Sequence, residues 1–442
     1  MLVHFNEANS PKTYIMTVKD TSLSTRSLSL DHQSLIQMLV ERENMLIIQD
    51  LDGVCMGLVK DPLTRFMEIE YIKAAKALGN HFFVLTNGEH IGPRGVNGII
   101  ERTFSDSNLV KEQGFYLQGL AAGGVQWQDS FGNETHPGVS EAEMDFLAAV
   151  PHKIANFLQE LGQQPKYGLD RERLEEYISS TVLDNKVSPT VNLNVFHETF
   201  SDRPELYAEF QQQIKAFTDR LLQEAQQQGL GDSFFVHYAP NLGRDETGLE
   251  VMQPAQGQDS GTTDFQFMLR GAIKEVGVLV ILNHYYYLRT GEYPLGKDFN
   301  AREAPSKQQD LLKLVKDNFD PKIVPTIVGV GDTVTSKAVE ADRLEFKRGG
   351  SDRGFLELVQ ALGKEFNTDN IVIYVDSSAG EVKNRQALQL DRSDPQNARV
   401  INGPGDPRDT EDPLTLNFVF PEGHQQYISF FCQIAEQRKN LA

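Results

Sequence analysis

Asn44-Met45-Leu46-Ile47-Ile48-Gln49-Asp50-Leu51-Asp52-Gly53-Val54 is the stretch whose reading decides the fold. An apolar run from Met45 to Ile48 leads into two aspartates separated by one residue, and then a glycine. The run predicts a parallel strand buried on both faces, with its carboxyl end opening where open α/β sheets bind ligands. Residues two apart on extended backbone point to one side, so Asp50 and Asp52 can face a single centre. Gly53 permits a tight turn and the close approach of a bulky anion. Two carboxylates in one small space repel unless a cation lies between them or one takes a proton. Oxygen donors of this kind suit Mg²⁺. A carboxylate beside such an ion can attack phosphorus while its neighbour serves as acid and base. An Asp-Gly turn at a strand end accounts for the same residues without any chemistry.

Outward from this stretch the pattern continues as strand and helix. Apolar residues Phe66, Ile69, Ile72 and Ala75 predict a helix near Thr64 to Leu78. A second apolar run, His81-Phe82-Phe83-Val84-Leu85, ends in Thr86-Asn87-Gly88. Strand, helix and strand make a βαβ unit, which brings Thr86 and Asn87 to the same sheet edge as Asp50. Upstream, Asp31 is a candidate cap for a short helix, and residues 1–28 read as a mobile tail rich in Ser and Thr.

Downstream, the alternation loosens over residues 91–262. Helical periodicity near 140–161, 169–179 and 203–228 and short strand-like runs at 114–117 and 233–238 predict an inserted α+β domain. A helical pattern then covers about Thr263 to Leu288, carrying Lys274. Further elements are a helix at 306–318, the strand from Thr326 ending at Gly331-Asp332-Thr333, a helix at 352–362, a strand at 371–376 and a last helix at 423–438.

The chain has 442 residues, 40% apolar and 24% charged, which suits two or three soluble domains. A net charge of −20 disfavours general affinity for nucleic acid or anionic membranes. Two cysteines exclude a disulfide framework and a cysteine zinc site. No apolar run is long enough to span a bilayer and no signal-peptide core is evident, so the expected compartment is the cytoplasm.

Three strand tips thus carry Asp50 and Asp52, Thr86 and Asn87, and Asp332, with Lys274 on an intervening helix. Phosphoryl transfer through an aspartate needs this set: a carboxylate to attack, a metal to neutralise phosphate, a hydroxyl and N–H groups for the equatorial oxygens, and a lysine to offset charge.

With these residues in place the chain resembles the haloacid dehalogenase superfamily of phosphatases. Asp50-Leu51-Asp52-Gly53-Val54 matches its first motif, Thr86 the second, Lys274 the third and Asp332 the fourth. The implied fold is a Rossmann-like parallel-sheet core, residues 29–90 and 263–442, with an inserted α+β cap at 91–262. The fourth motif usually carries a second acid a few residues on. Ser336 stands there instead, and Asp352 in Arg348-Gly-Gly-Ser-Asp352 is a candidate replacement after an insertion.

The resemblance narrows to the cyanobacterial glucosylglycerol-phosphate phosphatase family over Met45–Lys60, Val84–His90, Gly119–Gln128, Ser233–Asp245, Asp259–Arg270 and Gly329–Ser336. It implies Mg²⁺-dependent hydrolysis of 2-O-glucosylglycerol 3-phosphate in compatible-solute synthesis under salt stress, with the synthase of that precursor as a partner. It further implies Asp50 as nucleophile and metal ligand and Asp52 as acid and base that also binds metal through its carbonyl. Thr86 with the N–H groups around Asn87 and Gly88 would hold phosphate, Lys274 would balance charge and Asp332 would complete the metal site. Cap candidates for the sugar are Trp127, His237, Tyr238, Asn241, Arg244 and Asp245, since sugars are held by aromatic stacking and polar groups. Against this, Trp127 and Tyr238 can be cap core and Arg244–Asp245 a surface ion pair. The rival readings are the same chemistry on sucrose phosphate or mannosylglycerate phosphate, and an inactive regulatory binding protein.

Overall fold

The computed structural model describes residues 23, 26–92, 94–339, 345–382, 385–393 and 399–441. Most of the segment read as a mobile tail lies outside the described residues. Its last part, residues 26–28, is bound to the core: Leu28 N–H donates to Leu416 O at 2.7 Å, and Asn417 Nδ2 donates to Arg26 O at 2.9 Å.

Among the described residues the strands run in chain order as follows. The first are β1 (Met45–Gln49), β2 (Phe82–Leu85), β3 (Gly119–Ala121), β4 (Gln126–Gln128), β5 (Glu134–Thr135), β6 (Val182–Leu183), β7 (Thr190–Asn192), β8 (Phe234–Ala239) and β9 (Asn241–Arg244). The rest are β10 (Glu250–Met252), β11 (Asp264–Leu269), β12 (Thr326–Gly331), β13 (Thr335–Ala338), β14 (Phe346–Gly349), β15 (Ile371–Val375), β16 (Gln389–Asp391), β17 (Arg399–Asn402) and β18 (Phe418–Phe420).

The principal sheet has the order β18-β15-β12-β1-β2-β3-β4-β5. It is parallel from β18 through β3, and β4 and β5 close the edge antiparallel. The protein is therefore α/β with a mostly parallel central sheet. Alternation along β1 sends Leu46 and Ile48 into one apolar layer and Met45 and Ile47 into the other. Helices Lys274–Thr290 and Arg353–Phe366 cover the first face; His32–Glu41, Ile69–Leu78 and His424–Leu441 cover the second. Phe83, fully inside, exemplifies what this burial contributes: truncation to alanine would cost about 3–5 kcal/mol. The buried amide of Gln49 is satisfied on both sides, donating to Tyr71 Oη at 2.6 Å and accepting from Tyr427 Oη at 2.8 Å.

Near one end of the expected insertion, residues 119–135 add three strands to the principal sheet. The run 114–117, read as a strand, precedes β3. At the other end, residues 264–269 are not the start of a helix but strand β11 of a second, antiparallel sheet ordered β6-β7-β11-β8. The polar–apolar alternation Asp264-Phe265-Gln266-Phe267 is the period of a half-buried strand. Gly271, at φ +85°, then turns the chain into helix Lys274–Thr290. Helices Glu141–Gly162 and Pro204–Gln227 pack on the apolar face of the second sheet, where Phe146 stacks on Phe234 and Phe267. Phe66, expected on an apolar helix face, is exposed in the loop before helix Ile69–Leu78. Among the described residues no helix is long and apolar enough to cross a membrane.

Candidate active site

Asp50 prolongs β1 by one residue. Its N–H donates to Val330 O at 3.0 Å, so it keeps the pairing with β12, while Oδ1 accepts Leu51 N–H at 2.8 Å. The chain then reverses: Gly53 N–H donates to Met56 O at 2.9 Å, with Gly53 at φ +78°. Only glycine fits here, because a Cβ would lie 2.2 Å from Asp332 Oδ2. The tips of β1 and β12 are thus pressed together. Asp52 lies at the mouth of the cavity, with Arg65 Nε 2.9 Å from its Oδ1.

Lys274 begins its helix and points inward. Its Nζ lies 2.8 Å from Asp50 Oδ2 and 2.7 Å from Asp352 Oδ1, and all three side chains are buried. Asp352 Oδ2 accepts the N–H groups of Asp332 and Thr333, both at 2.9 Å. Asp352, and not Ser336, therefore joins the acidic centre. Ser336 lies in the β13–β14 hairpin and its Oγ accepts from Asp406 N–H at 2.9 Å. That hairpin lies between Asp332 and Asp352 in the chain.

Carboxylate oxygens of Asp50, Asp332 and Asp352 all fall within 4.8 Å of one another. Burial, reinforced by Asp352 and Asp332, pushes the Asp50 carboxyl well above its ordinary range against the pull of Lys274. Burial likewise raises Asp332 to about 6, against the pull of Arg385. Asp352 faces the same ammonium as Asp50 yet moves the other way. Burial opposes its charge, but Lys274 and the two backbone N–H groups outweigh that and hold it low. Burial also opposes the charge of Lys274, and Asp352 and Asp50 overcome it, so the ammonium is retained.

The centre gathers three acids, with Lys274 between two of them and Arg385 farther off. Asp332 Oδ2 is buried with no hydrogen-bond donor among the described residues, and Arg385 Nε comes only to 3.6 Å. Clustered carboxylate oxygens with one left unbonded fit a hard divalent cation.

At the tip of β2, Thr86 N–H donates to Leu120 O at 3.0 Å and Thr86 Oγ1 accepts Gly88 N–H at 3.1 Å. Thr86, Asn87 and Gly88 line the same cavity as Asp50, Asp52, Lys274 and Asp332. The β2 loop is also tied to the second sheet. Asn87 Nδ2 lies 2.9 Å from His237 Nε2, whose Nδ1 faces Glu250 Oε2 at 2.8 Å. With Asn87 donating, the ring proton sits on Nδ1 and points at the carboxylate. Buried Glu89 accepts the N–H groups of Lys186 (2.8 Å), Val187 (2.5 Å) and Ser188 (2.8 Å).

The expected sugar candidates separate. His237, Asn241 and Arg244 line a second cavity that shares Asn87 and Lys274 with the first. There both nitrogens of His237 are engaged, and Arg244 lies 3.9 Å from Glu275 and 4.0 Å from Glu250. Asp245 does not pair with Arg244; its carboxylate accepts from Thr247 and Leu249 in its own turn. Tyr238 points to the other face of the sheet, edge-on to Phe265, and is core. Trp127 lines neither cavity: β4 belongs to the principal sheet, and the indole packs on Phe83 and His284.

Sequence reasoning missed Arg65, Glu89, Arg385 and four residues of the second sheet, Thr190, Asn192, Asp264 and Gln266, all lining the first cavity. For the last four the signal was present, in the alternation of Thr190-Val-Asn192-Leu and Asp264-Phe-Gln266-Phe.

A parallel sheet with Asp50 and Asp332 at its strand tips and Asp352 at a helix start, all buried near one lysine and beside a hydroxyl and turning N–H groups, defines an α/β phosphatase-type site. Residues 44–435 match the family description for glucosylglycerol-phosphate phosphatase. A glucosylglycerol-phosphate phosphatase of Synechocystis sp. is 55% identical over 417 residues, covering 94% of this chain and 98% of that protein. The chain belongs to the glucosylglycerol-phosphate phosphatase family. Among solved structures, the C-terminal domain of Candida albicans trehalose-6-phosphate phosphatase is 11% identical at a TM-score of 0.44, covering 93% of this chain and 98% of its own. The Aspergillus fumigatus trehalose-6-phosphate phosphatase is 8% identical at 0.38, covering 93% and 99%. At that distance the likeness carries nothing about fold or activity.

Proposed function

We propose that this protein is a phosphatase that hydrolyses 2-O-(α-D-glucosyl)glycerol 3-phosphate to glucosylglycerol and phosphate through an aspartyl-phosphate. The observation that carries the reading is the buried Asp50–Lys274–Asp352 bridge, with contacts of 2.8 and 2.7 Å, at the tip of the first strand. Family membership supports the substrate.

In this reading Asp50 Oδ attacks phosphorus and the bond from phosphorus to the glycerol oxygen breaks. Asp52 gives that oxygen its proton. Asp52 then takes a proton from water, which attacks phosphorus and frees Asp50 with release of phosphate. Thr86 and the N–H groups around Asn87 and Gly88 hold the phosphoryl oxygens where charge develops. Lys274 keeps Asp50 oriented and offsets its charge; Asp352 and Asp50 keep Lys274 charged. Asp50, Asp332 and the carbonyl of Asp52 are the groups that would hold Mg²⁺. When bound, the ion supplies positive charge against phosphate and the acidic centre.

The principal sheet then corresponds to a core of the haloacid dehalogenase type, and the unit from about Ser140 to Leu269 to its cap. The test is phosphate release from glucosylglycerol phosphate with and without Mg²⁺. Mg²⁺-dependent release that Asp50→Asn abolishes supports the reading. Equal release by wild type and Asp50→Asn overturns it.

A further inference from the structure

We propose that the polar face of the second sheet, and Asp264 and Gln266 above all, reads the hydroxyl groups of the part of the substrate that does not react. This deepens the phosphatase reading and rests on it. The register sets the surface. Asp264 pairs with Asn192 across β11 and β7, and Gln266 pairs with Thr190. Residues two apart on a strand share a face, so all four side chains lie on one side of the sheet. They line the cavity that holds Asp50 and Lys274. The intervening residues, Val191, Phe265 and Phe267, face the other way into the core beneath the helices. Nothing in the packing requires polar groups on the cavity side; an antiparallel sheet needs only one apolar face.

The hydrogen-bond inventory of that face is incomplete in a telling way. Asn192 Nδ2 donates to Asp264 Oδ1 at 2.7 Å and so fixes the carboxylate. Among the described residues, the hydrogen bond to Asp264 Oδ2 is from Thr263 Oγ1, at 3.4 Å. Gln266 Oε1 is buried with no hydrogen-bond partner among the described residues. A buried acceptor without a donor is destabilising unless a ligand supplies one. Both oxygens are acceptors with capacity to spare, and both residues line the cavity that holds the acidic centre. A neutral polyol offers many O–H donors and no charge to repel, so it is the chemistry these oxygens suit. No aromatic ring lines this cavity among the described residues, so recognition here is by hydrogen bonds and not by stacking. Sites built to bond a hydroxyl discriminate strongly against ligands that lack it.

The test compares kcat/KM for glucosylglycerol phosphate with that for p-nitrophenyl phosphate, which has no hydroxyl on its leaving group. Wild type, Gln266→Ala and the near-isosteric Asp264→Asn are measured side by side. The expected result is a drop of about 10-fold or more in the ratio of the two values in each variant, carried mainly by KM for the sugar ester. Turnover of p-nitrophenyl phosphate reports that the variants are folded. An unchanged ratio in both variants overturns the proposal, as does an equal fall on both esters. If wild type cleaves p-nitrophenyl phosphate but prefers a different polyol phosphate in a panel, the assigned substrate fails by itself. The sheet assignment then stands if the variants flatten that preference and falls if they preserve it.

Discussion

Lys274 Nζ donates to Asp352 Oδ1 at 2.7 Å with both side chains buried, and this contact ties the start of one helix to the start of another across the acidic centre. Asp352 spends its other oxygen on the N–H groups of Asp332 and Thr333. One carboxylate therefore sets both the lysine that faces Asp50 and the turn that presents Asp332. The substitution Asp352→Asn keeps the side-chain volume and removes the charge. Breaking a buried pair in this way costs about 3–5 kcal/mol. The expected outcome is a loss of that order in urea unfolding, with kcat reduced about 100-fold because Lys274 is no longer held between two anions.

Asp332 carries a buried oxygen with no donor among the described residues and belongs to the acidic cluster, so metal dependence should be most sensitive there. Chelation is expected to abolish phosphate release, and added Mg²⁺ to restore it. Asp332→Asn should raise the Mg²⁺ concentration giving half-maximal rate by roughly 10-fold or more, as removal of a ligand does. A second readout is thermal. Ion at about 100 times its Kd stabilises the folded state by about 2.7 kcal/mol, and the variant should lose most of that rise in Tm at equal Mg²⁺.

Glu89 couples the loop after β2 to residues 186–188 through their three backbone N–H groups. Burial raises its pKa, and those N–H groups pull the other way. Hydrogen bonds to a charged group are worth about 1.5–3 kcal/mol each. Glu89→Ala strands those three N–H groups and the Ser188 hydroxyl, which donates to Glu89 Oε1 at 3.1 Å. It should speed amide hydrogen exchange at Lys186, Val187 and Ser188 and raise KM more than it lowers kcat.

His90 makes stability depend on acid. Its Nε2–H donates to Gly119 O at 3.3 Å, while Nδ1 is buried without a partner among the described residues. Burial, only partly offset by that carbonyl, lowers its pKa from 6.5 to about 4. Between these values the unfolded chain binds a proton that the folded one refuses, so stability falls as pH drops from 6.5 towards 4. At 1.36 kcal/mol per pH unit the full loss is about 3 kcal/mol. Urea unfolding at pH 7 and pH 4.5 should show this difference in wild type and a smaller one in His90→Gln.

Much of the site was legible because strand ends are local features. Asp50, Thr86 and Asp332 each follow a short apolar run, and a polar residue past such a run is visible without knowing any contact. The second sheet was misread for an equally local reason. Residues 263–288 contain apolar residues at both helical and strand spacing, and the longer pattern masked Asp264 to Leu269. Trp127 looked like a sugar platform because aromatic rings suit sugars, but residue type does not say which face of which sheet a side chain occupies.

The order of apolar runs and polar tips determined by itself that β1 and β2 would form a parallel βαβ unit, with Asp50, Asp52 and Thr86 on one edge. The structure supplied the pairing of β12 with β1 that brings Asp332 to the same edge. Only the tertiary structure decided that a hairpin would carry Asp352 back to Lys274. It alone decided that His237 would bond Asn87 rather than face the cavity freely, and that Asp264 and Gln266 would roof the site. Those outcomes depend on loop paths and on how two sheets meet. Such packing is settled by contacts between residues far apart in the chain, and no local spacing encodes it.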